Sequence, residues 1–391
     1  MAKRVGLEVS LACSEAVKLA NVDVIAAYPI TPQTHIVEHL SELVADGHLD
    51  AEFVPVESEH SAMSACVGSS AAGARTFTSS SAQGLALMHE ILFIAPALRL
   101  PIVMAVANRS LSGPISIWND HSDIMAERDI GWIQTFAENG QEVMDLTLHA
   151  FKVAEDHRVT LPMIVNLDGF ILTHVIEPIE MPSQEEVDAY LPPFEPQQKL
   201  DIANPISMGL VGVPEVYTEA RKAMLDALEK SYPVIKEHWD GFAQQFGRQY
   251  NPIETHHVDD ADTVLVTMGS LGETAMTAVD EMRAAGRKVG QVRIRLWRPF
   301  PSGDFLDAIS GAKTLVVMDR ALSPGADSGP VATEIKSLIY ATGGGPYVAD
   351  FVAGLSGRDV TREDFKQMVD KAEAAAAAGD PMTFEMWGVK E

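Results

Sequence analysis

Three short segments hold side chains that could do chemistry, and each follows an apolar stretch with strand character. Thr31 stands between two prolines in Tyr28-Pro29-Ile30-Thr31-Pro32-Gln33-Thr34, so its hydroxyl has a fixed direction and suits an anion. The same residues also suit a helix start, with Thr31 as N-cap and Pro32 at the first helical position. On this segment alone capping is the simpler reading, and the two roles can coexist. Val56-Glu57-Ser58-Glu59-His60 places two carboxylates before a stretch rich in Ala, Ser and Gly. Such carboxylates ordinarily complement a helix dipole, but one that faces an apolar ligand pocket becomes a proton relay with a raised pKa. Asn108-Arg109 ends the most apolar stretch. An arginine there needs an anionic partner, and a structural aspartate or a substrate carboxylate would each serve. Together the three segments predict an anion site beside an acid–base carboxylate without naming a reaction.

The elements that must position these loops alternate. Helical periodicity is expected over Ser14–Ala20, Gln33–Val44, Ser61–Ala74 and Leu85–Ala97. Apolar strands are expected over Val22–Ala27, Phe53–Val56, Thr76–Ser80, Pro101–Ala107 and Met163–Leu167. Strand, loop and helix in that order predict a doubly wound parallel sheet covered on both faces, and ligands of such sheets bind at the C-terminal ends of the strands. Prolines at 182, 192, 193, 196 and 205 mark a connecting arm, followed by one or two amphipathic helices over Tyr217–Phe246. A second, smaller α/β unit is expected from Asp262, with strands Thr263–Met268, Val289–Leu296 and Thr314–Met318 and helices Glu273–Ala285 and Val331–Thr342. The expected division is 1–190, an arm over 191–258, and 259–391.

Composition bounds the function. The 391 residues carry 55 acidic and 29 basic side chains, a formal charge of −26, which argues against nucleic acid or an anionic membrane as partner. Cys13 and Cys66 are the only cysteines, too few to ligate an iron–sulfur cluster. The N-terminal residues lack the apolar stretch of a signal peptide and no apolar run reaches the length of a membrane span, so a cytoplasmic protein is expected. There is no Walker loop, no G-x-G-x-x-G opening the first helix, no nucleophile elbow and no H-E-x-x-H. His256-His257 reads as a solvated pair, and no metal site is expected on this chain. Gly269-Ser-Leu-Gly272 follows a strand and opens a helix; anion binding is conceivable there, but a tight turn needs the same glycines.

Several ordered motifs resemble the pyrimidine-binding domain of 2-oxoacid:ferredoxin oxidoreductases. They are Tyr-Pro-Ile-Thr-Pro at 28–32, Glu-Ser-Glu-His at 57–60, Thr-Ser-Ser-Ser-Ala-Gln-Gly at 78–84, Asn108-Arg109, Ile-Trp-Asn-Asp-His at 117–121 and Asp-Ile-Met-Ala-Glu-Arg-Asp at 123–129. Residues 264–300, from Met-Gly-Ser-Leu-Gly-Glu-Thr to Leu-Trp-Arg-Pro-Phe, resemble the following domain of that family. The likeness fits the separate alpha subunit of the pyruvate enzymes best. It implies a thiamine-diphosphate-binding domain of the pyrimidine type, then a domain like the C-terminal domain of transketolase. By resemblance Glu59 hydrogen-bonds the aminopyrimidine N1′ and favours the imino tautomer that takes the thiazolium C2 proton. Tyr28 and Pro29 would line the cofactor, and Thr31 and Arg109 would bind the pyruvate carboxylate. Pyruvate and coenzyme A would give acetyl-CoA and carbon dioxide with reduction of ferredoxin.

The family's diphosphate and magnesium motif, Gly-Asp-Gly with a downstream asparagine, is approached only by Asp168-Gly169, with no preceding glycine and with Asn166 upstream. The resemblance therefore implies that magnesium, the diphosphate and the iron–sulfur clusters sit on partner chains: a diphosphate-binding, cluster-bearing beta subunit, a gamma subunit and a ferredoxin-like delta subunit. Thiamine diphosphate would be shared across the interface. Rival readings are the same chemistry on 2-oxoglutarate, a branched-chain oxoacid, an arylpyruvate or oxalate, and a non-catalytic assembly subunit. A nicotinamide dehydrogenase is disfavoured by the missing glycine fingerprint.

Overall fold

The computed structural model describes residues 3–209, 211–382 and 384–390. Its first sheet runs in the order Leu296–Arg298, Ile133–Phe136, Met163–Asp168, Val103–Asn108, Thr76–Ser80, Val24–Ala27, Glu52–Pro55. Every neighbouring pair is parallel except the first. The central strands Val103–Asn108 and Met163–Asp168 are buried along their whole length, as expected of strands covered on both faces.

One face packs against helices Val9–Leu19, Thr34–Ala45 and Gly140–Ala154. The other packs against Glu59–Ala71 and Ala82–Leu92. The second sheet, Glu385–Met386, Tyr347–Val352, Thr314–Asp319, Thr263–Thr267, Val289–Ile294, Ile253–His256, is parallel apart from its last strand. Trp132, Phe136, Trp297 and Phe305 belong to one apolar cluster that continues from the first sheet into the second.

Two local expectations are corrected. Val289–Leu296 is not one strand. The chain leaves the second sheet after Ile294, and Leu296–Arg298 crosses to pair antiparallel with Ile133–Phe136. The pivot is Arg295, a buried guanidinium held by Glu142 of the first layer at 2.7 Å and by Glu254 at 2.5 Å. Nor is Thr31 a helix cap. The helix begins at Thr34 with Gln33 at the N-cap position, because the chain first turns back between Ile30 and Gln33 (N–H to carbonyl, 2.8 Å) through a cis Thr31–Pro32 bond.

The arm leads into one helix, Pro214–Phe246, whose first two turns are exposed. A small antiparallel pair, Lys3–Glu8 with Ile176–Met181, has no counterpart in the periodicity of the sequence. Among the described residues no helix is long and apolar enough to cross a membrane.

Candidate active site

Strand ends dictate where the site forms. Val24–Ala27, Thr76–Ser80 and Val103–Asn108 deliver Tyr28–Thr31, Ser81–Gly84 and Arg109 to the same edge of the sheet. Gln33, wholly buried, ties the first of these loops down. Its Nε2 donates to the Ser79 carbonyl and hydroxyl oxygens, each at 2.8 Å, and its Oε1 accepts from the Ile30 N–H at 3.1 Å.

Arg109 and Thr31, distant in sequence, meet here. Arg109 Nη1 donates to the Thr31 carbonyl oxygen at 2.8 Å and Nε to the Ser116 carbonyl oxygen at 2.8 Å. Nη2 makes a long contact with Gln83 Oε1 at 3.4 Å. Burial lowers the guanidinium's pKa from its ordinary value, against the pull of the nearby Asp123 charge. Among the described residues no carboxylate bonds this guanidinium directly, and two of its five N–H groups are unused. Asp123, the charge nearest to it, bonds the Arg109 backbone N–H rather than the guanidinium.

Glu59 opens the helix Glu59–Ala71, one residue after Ser58, whose Oγ caps Ser61 N–H at 3.2 Å. The cap leaves Glu59 free of that duty, and among the described residues no donor reaches its buried carboxylate. Glu57 instead lies exposed and accepts from the Ser61 hydroxyl, which lowers its pKa. Beside Glu59 the backbone of Gly84 packs so closely that no side chain fits. A Cβ there would stand 2.6 Å from Glu59 Oε1 and 2.5 Å from Ser80 Oγ, and the Ser80 hydroxyl is buried without a partner. A carboxylate that no donor of the described residues reaches suits a ligand nitrogen such as N1′ of an aminopyrimidine. Tyr28 and Pro29 are exposed on the same edge, and among the described residues no hydrogen bond joins either side chain to Glu59 or Arg109.

Asp123 organises this edge and was not singled out from the sequence, although it lies in a quoted motif. Its Oδ2 accepts from the Ala82 and Arg109 backbone N–H groups at 3.1 and 2.9 Å. Its Oδ1 accepts from Asn108 Nδ2 at 3.1 Å and from Ile124 N–H at 2.7 Å. Burial pushes its pKa up to about 7 against those donors.

Asp168 departs from a metal-ligand role. Oδ1 accepts from His121 at 2.8 Å, and Oδ2 accepts from Arg320 at 2.6 Å and from the Ser270 N–H at 2.9 Å. Burial would raise its pKa, but Arg320 and His121 more than offset this and hold it well below the usual carboxylate range. Of the Gly269–Gly272 turn, the Ser270 donors are thus spent on Asp168 and the Gly272 N–H on the Gly269 carbonyl oxygen. Gly169 is required by close approach, since a Cβ would lie 2.4 Å from the Asn108 carbonyl oxygen and 2.6 Å from the Pro32 ring. These residues do not fit a diphosphate-bound metal. Nor do the cysteines fit a cluster: Cys13 and Cys66 are buried in separate cores with thiols pushed up to about 12 by burial.

His256 and His257 are not simply solvated, since both face Asp280 Oδ1, at 2.6 and 3.4 Å, on the far edge of the second sheet.

Residues 15–239 match the family model described as pyruvate flavodoxin/ferredoxin oxidoreductase, thiamine-diphosphate-binding, and 261–365 match pyruvate:ferredoxin oxidoreductase core domain II. Pyruvate synthase subunit PorA of Methanocaldococcus jannaschii is 50% identical over 367 residues, 93% of each chain. The PorA of Thermotoga maritima is 46% identical over 371 residues, 95% of this chain and 94% of its own. Ketoisovalerate oxidoreductase subunit VorA of Pyrococcus horikoshii is 46% identical over 362 residues, 92% of this chain and 91% of its own. In fold, the chain is similar to the 2-oxoglutarate:ferredoxin oxidoreductase of Magnetococcus marinus (TM-score 0.69, 20% identity). That match covers 96% of this chain and 65% of the other. A split-gene transketolase shares the fold at a TM-score of 0.52 and 11% identity, covering 95% and 99% of the two chains.

Proposed function

Because the chain belongs to the pyruvate:ferredoxin oxidoreductase family, we propose that it is the alpha-type subunit of a complex that oxidatively decarboxylates pyruvate. The reaction joins the acetyl group to coenzyme A, releases carbon dioxide and reduces ferredoxin, reversibly. The observation that carries this reading is the half identity to a pyruvate synthase subunit over 93% of both chains. The geometry supports it independently, with a Glu59 carboxylate that no donor of the described residues reaches and an Arg109 guanidinium with two unused N–H groups on one sheet edge.

Thiamine diphosphate, when bound, supplies the nucleophilic carbon that attacks the 2-oxoacid carbonyl and takes up the electrons released on decarboxylation. Glu59 holds a proton against N1′ of the aminopyrimidine, a task suited to a carboxyl that has no other partner. Tyr28 and Pro29 border the cofactor from the neighbouring loop. Arg109 and Thr31 bind the pyruvate carboxylate, Arg109 with the two N–H groups its carbonyl acceptors leave unused.

The diphosphate, magnesium and iron–sulfur clusters are assigned to partner subunits of beta, gamma and delta type, because Asp168 is fully engaged and only two cysteines are present. The complex is placed in the cytoplasm, where ferredoxin and coenzyme A are soluble. The division into 1–190, 191–258 and 259–391 belongs to the same proposal; the gap between the family segments, 239 to 261, supports its last boundary, while the first segment runs past 190 into the arm. A branched-chain oxoacid is the second reading, favoured by the VorA relative.

The test is viologen reduction by the anaerobically isolated complex, with pyruvate, 2-ketoisovalerate or 2-oxoglutarate, with and without coenzyme A. Coenzyme-A-dependent reduction fastest with pyruvate is expected. Faster turnover of 2-ketoisovalerate would replace pyruvate with the branched-chain substrate.

A further inference from the structure

We propose that the second α/β domain is part of the substrate site, with Ser116 and Ser356 as positioning residues that hold Arg109 toward the substrate carboxylate. The inference rests on the assignment of Arg109 to that carboxylate.

Arg109 is buried, and its Nε is satisfied by one acceptor, the carbonyl oxygen of Ser116 at 2.8 Å. Leaving that N–H unpaired in a buried site would be costly, so the guanidinium's orientation depends on where Ser116 is held. Ser116 lies in a loop, 111–118, that bulges from the sheet edge, with Ile115 75% exposed and Trp118 51% exposed. The loop's base is tied within the first layer, by Ser110 N–H to the Trp118 carbonyl oxygen at 3.1 Å and Leu111 N–H to Ser122 Oγ at 2.9 Å. The Ser116 hydroxyl accepts from the Trp118 N–H at 3.2 Å within the loop, and from outside it meets the Ser356 hydroxyl at 2.5 Å.

Ser356 lies in the short turn Leu355–Gly357 that follows the strand Tyr347–Val352 of the second sheet. Two backbone contacts press this turn onto the segment after the loop. Gly357 N–H donates to the Asn119 carbonyl oxygen at 2.6 Å, and Ser356 N–H donates to Asp120 Oδ2 at 3.3 Å. Ser356 has φ +54° and Gly357 φ +69°. A non-glycine residue in that region is strained and persists only where its surroundings impose it. A Cβ on Gly357 would stand 3.1 Å from Trp118 Cβ, so the turn sits in direct contact with the loop. A hydroxyl pair, two backbone bonds and a strained serine all converge on the segment that carries Arg109's acceptor.

The test is a double-mutant cycle in the assembled complex, with Ser116→Ala, Ser356→Ala and the pair. Each single change is expected to raise KM for pyruvate about fivefold, the worth of one net hydrogen bond. The effect should fall on KM rather than kcat and leave KM for coenzyme A unchanged. The double variant should be no worse than either single one, and hydrogen exchange over 111–118 should quicken in Ser356→Ala. Gly357→Ala, which displaces Trp118, should raise KM for pyruvate further. Single variants with unchanged KM, or effects that multiply in the double variant, would overturn the proposal. Arg109→Lys separates the two levels. If it raises KM while the serine variants do not, only the coupling between domains is wrong. If it leaves KM unchanged, the assignment of Arg109 to the substrate fails, and this inference with it.

Discussion

Asp168 of the first sheet and Arg320 of the second form a wholly buried ion pair, Oδ2 to Nη1 at 2.6 Å. Each follows or ends a central parallel strand, Met163–Asp168 and Thr314–Asp319, so the C-terminal edges of the two sheets face one another across this contact. His121, from the segment that also carries Asp123, bonds the other carboxylate oxygen. The charge pair therefore joins both sheets to the edge on which Glu59 and Arg109 stand.

Arg320→Ala should destabilise the chain by about 3–5 kcal/mol, because it strands a buried carboxylate. The Asp168 pKa is depressed, so its contribution is fully present above the unfolded value of about 3.9 and is lost only as the pH falls through the lower folded value. Urea unfolding at pH 5 and pH 8 should show the same Arg320→Ala deficit at both. A deficit below about 1 kcal/mol would mean the pair is solvated in solution.

Glu59→Gln should retain folding and assembly but lower pyruvate-dependent viologen reduction by about 10²- to 10⁴-fold, the usual worth of a positioned acid–base group. An amide fills the same volume and cannot share the proton. Turnover close to the unmodified rate would remove Glu59 from the chemistry and favour an assembly role for the chain.

Gly84→Ala should impair cofactor binding without replacing a charged residue. The added methyl would meet Ser80 Oγ at 2.5 Å and Glu59 Oε1 at 2.6 Å. Overpacking of this kind costs about 1–3 kcal/mol and would push the Glu59 carboxylate from its position. Thiamine diphosphate assayed in the purified complex should fall well below stoichiometric. Full cofactor content would place the pyrimidine elsewhere.

Asp123→Asn should alter the pH dependence of stability. Burial pushes the Asp123 pKa up to about 7, above the unfolded value of about 3.9. The folded chain therefore binds more protons between those values, and this group makes stability fall as pH rises from about 4 to about 7, with no further change above. Asparagine cannot titrate, and its amide would face N–H donors at a cost of about 1–3 kcal/mol. The gap in melting temperature between the two proteins should narrow from pH 5 to pH 8. An equal gap at both would show that Asp123 keeps one protonation state throughout.

The sequence by itself determined the parallel α/β class and the edge on which the site would form. Runs such as Pro101–Ala107 carry their burial on both faces in their own residue types, and a loop after such a run must emerge at the ligand-binding edge. The placement of Glu59, Arg109 and Thr31 on that edge was legible for that reason. Only the tertiary structure decided what each of them touches. Thr31 is not a cap because a turn closed by Gln33, itself anchored on Ser79, precedes the helix. Leu296–Arg298 belongs to the first sheet because Arg295 is held by Glu142, far away in sequence. Asp168 is occupied because Arg320 and Ser270 arrive from another sheet, and Arg109 is steered by Ser116 because Ser356 does. Periodicity is written locally, residue by residue, whereas the partner of a buried charge or an edge strand is whatever the fold brings opposite it.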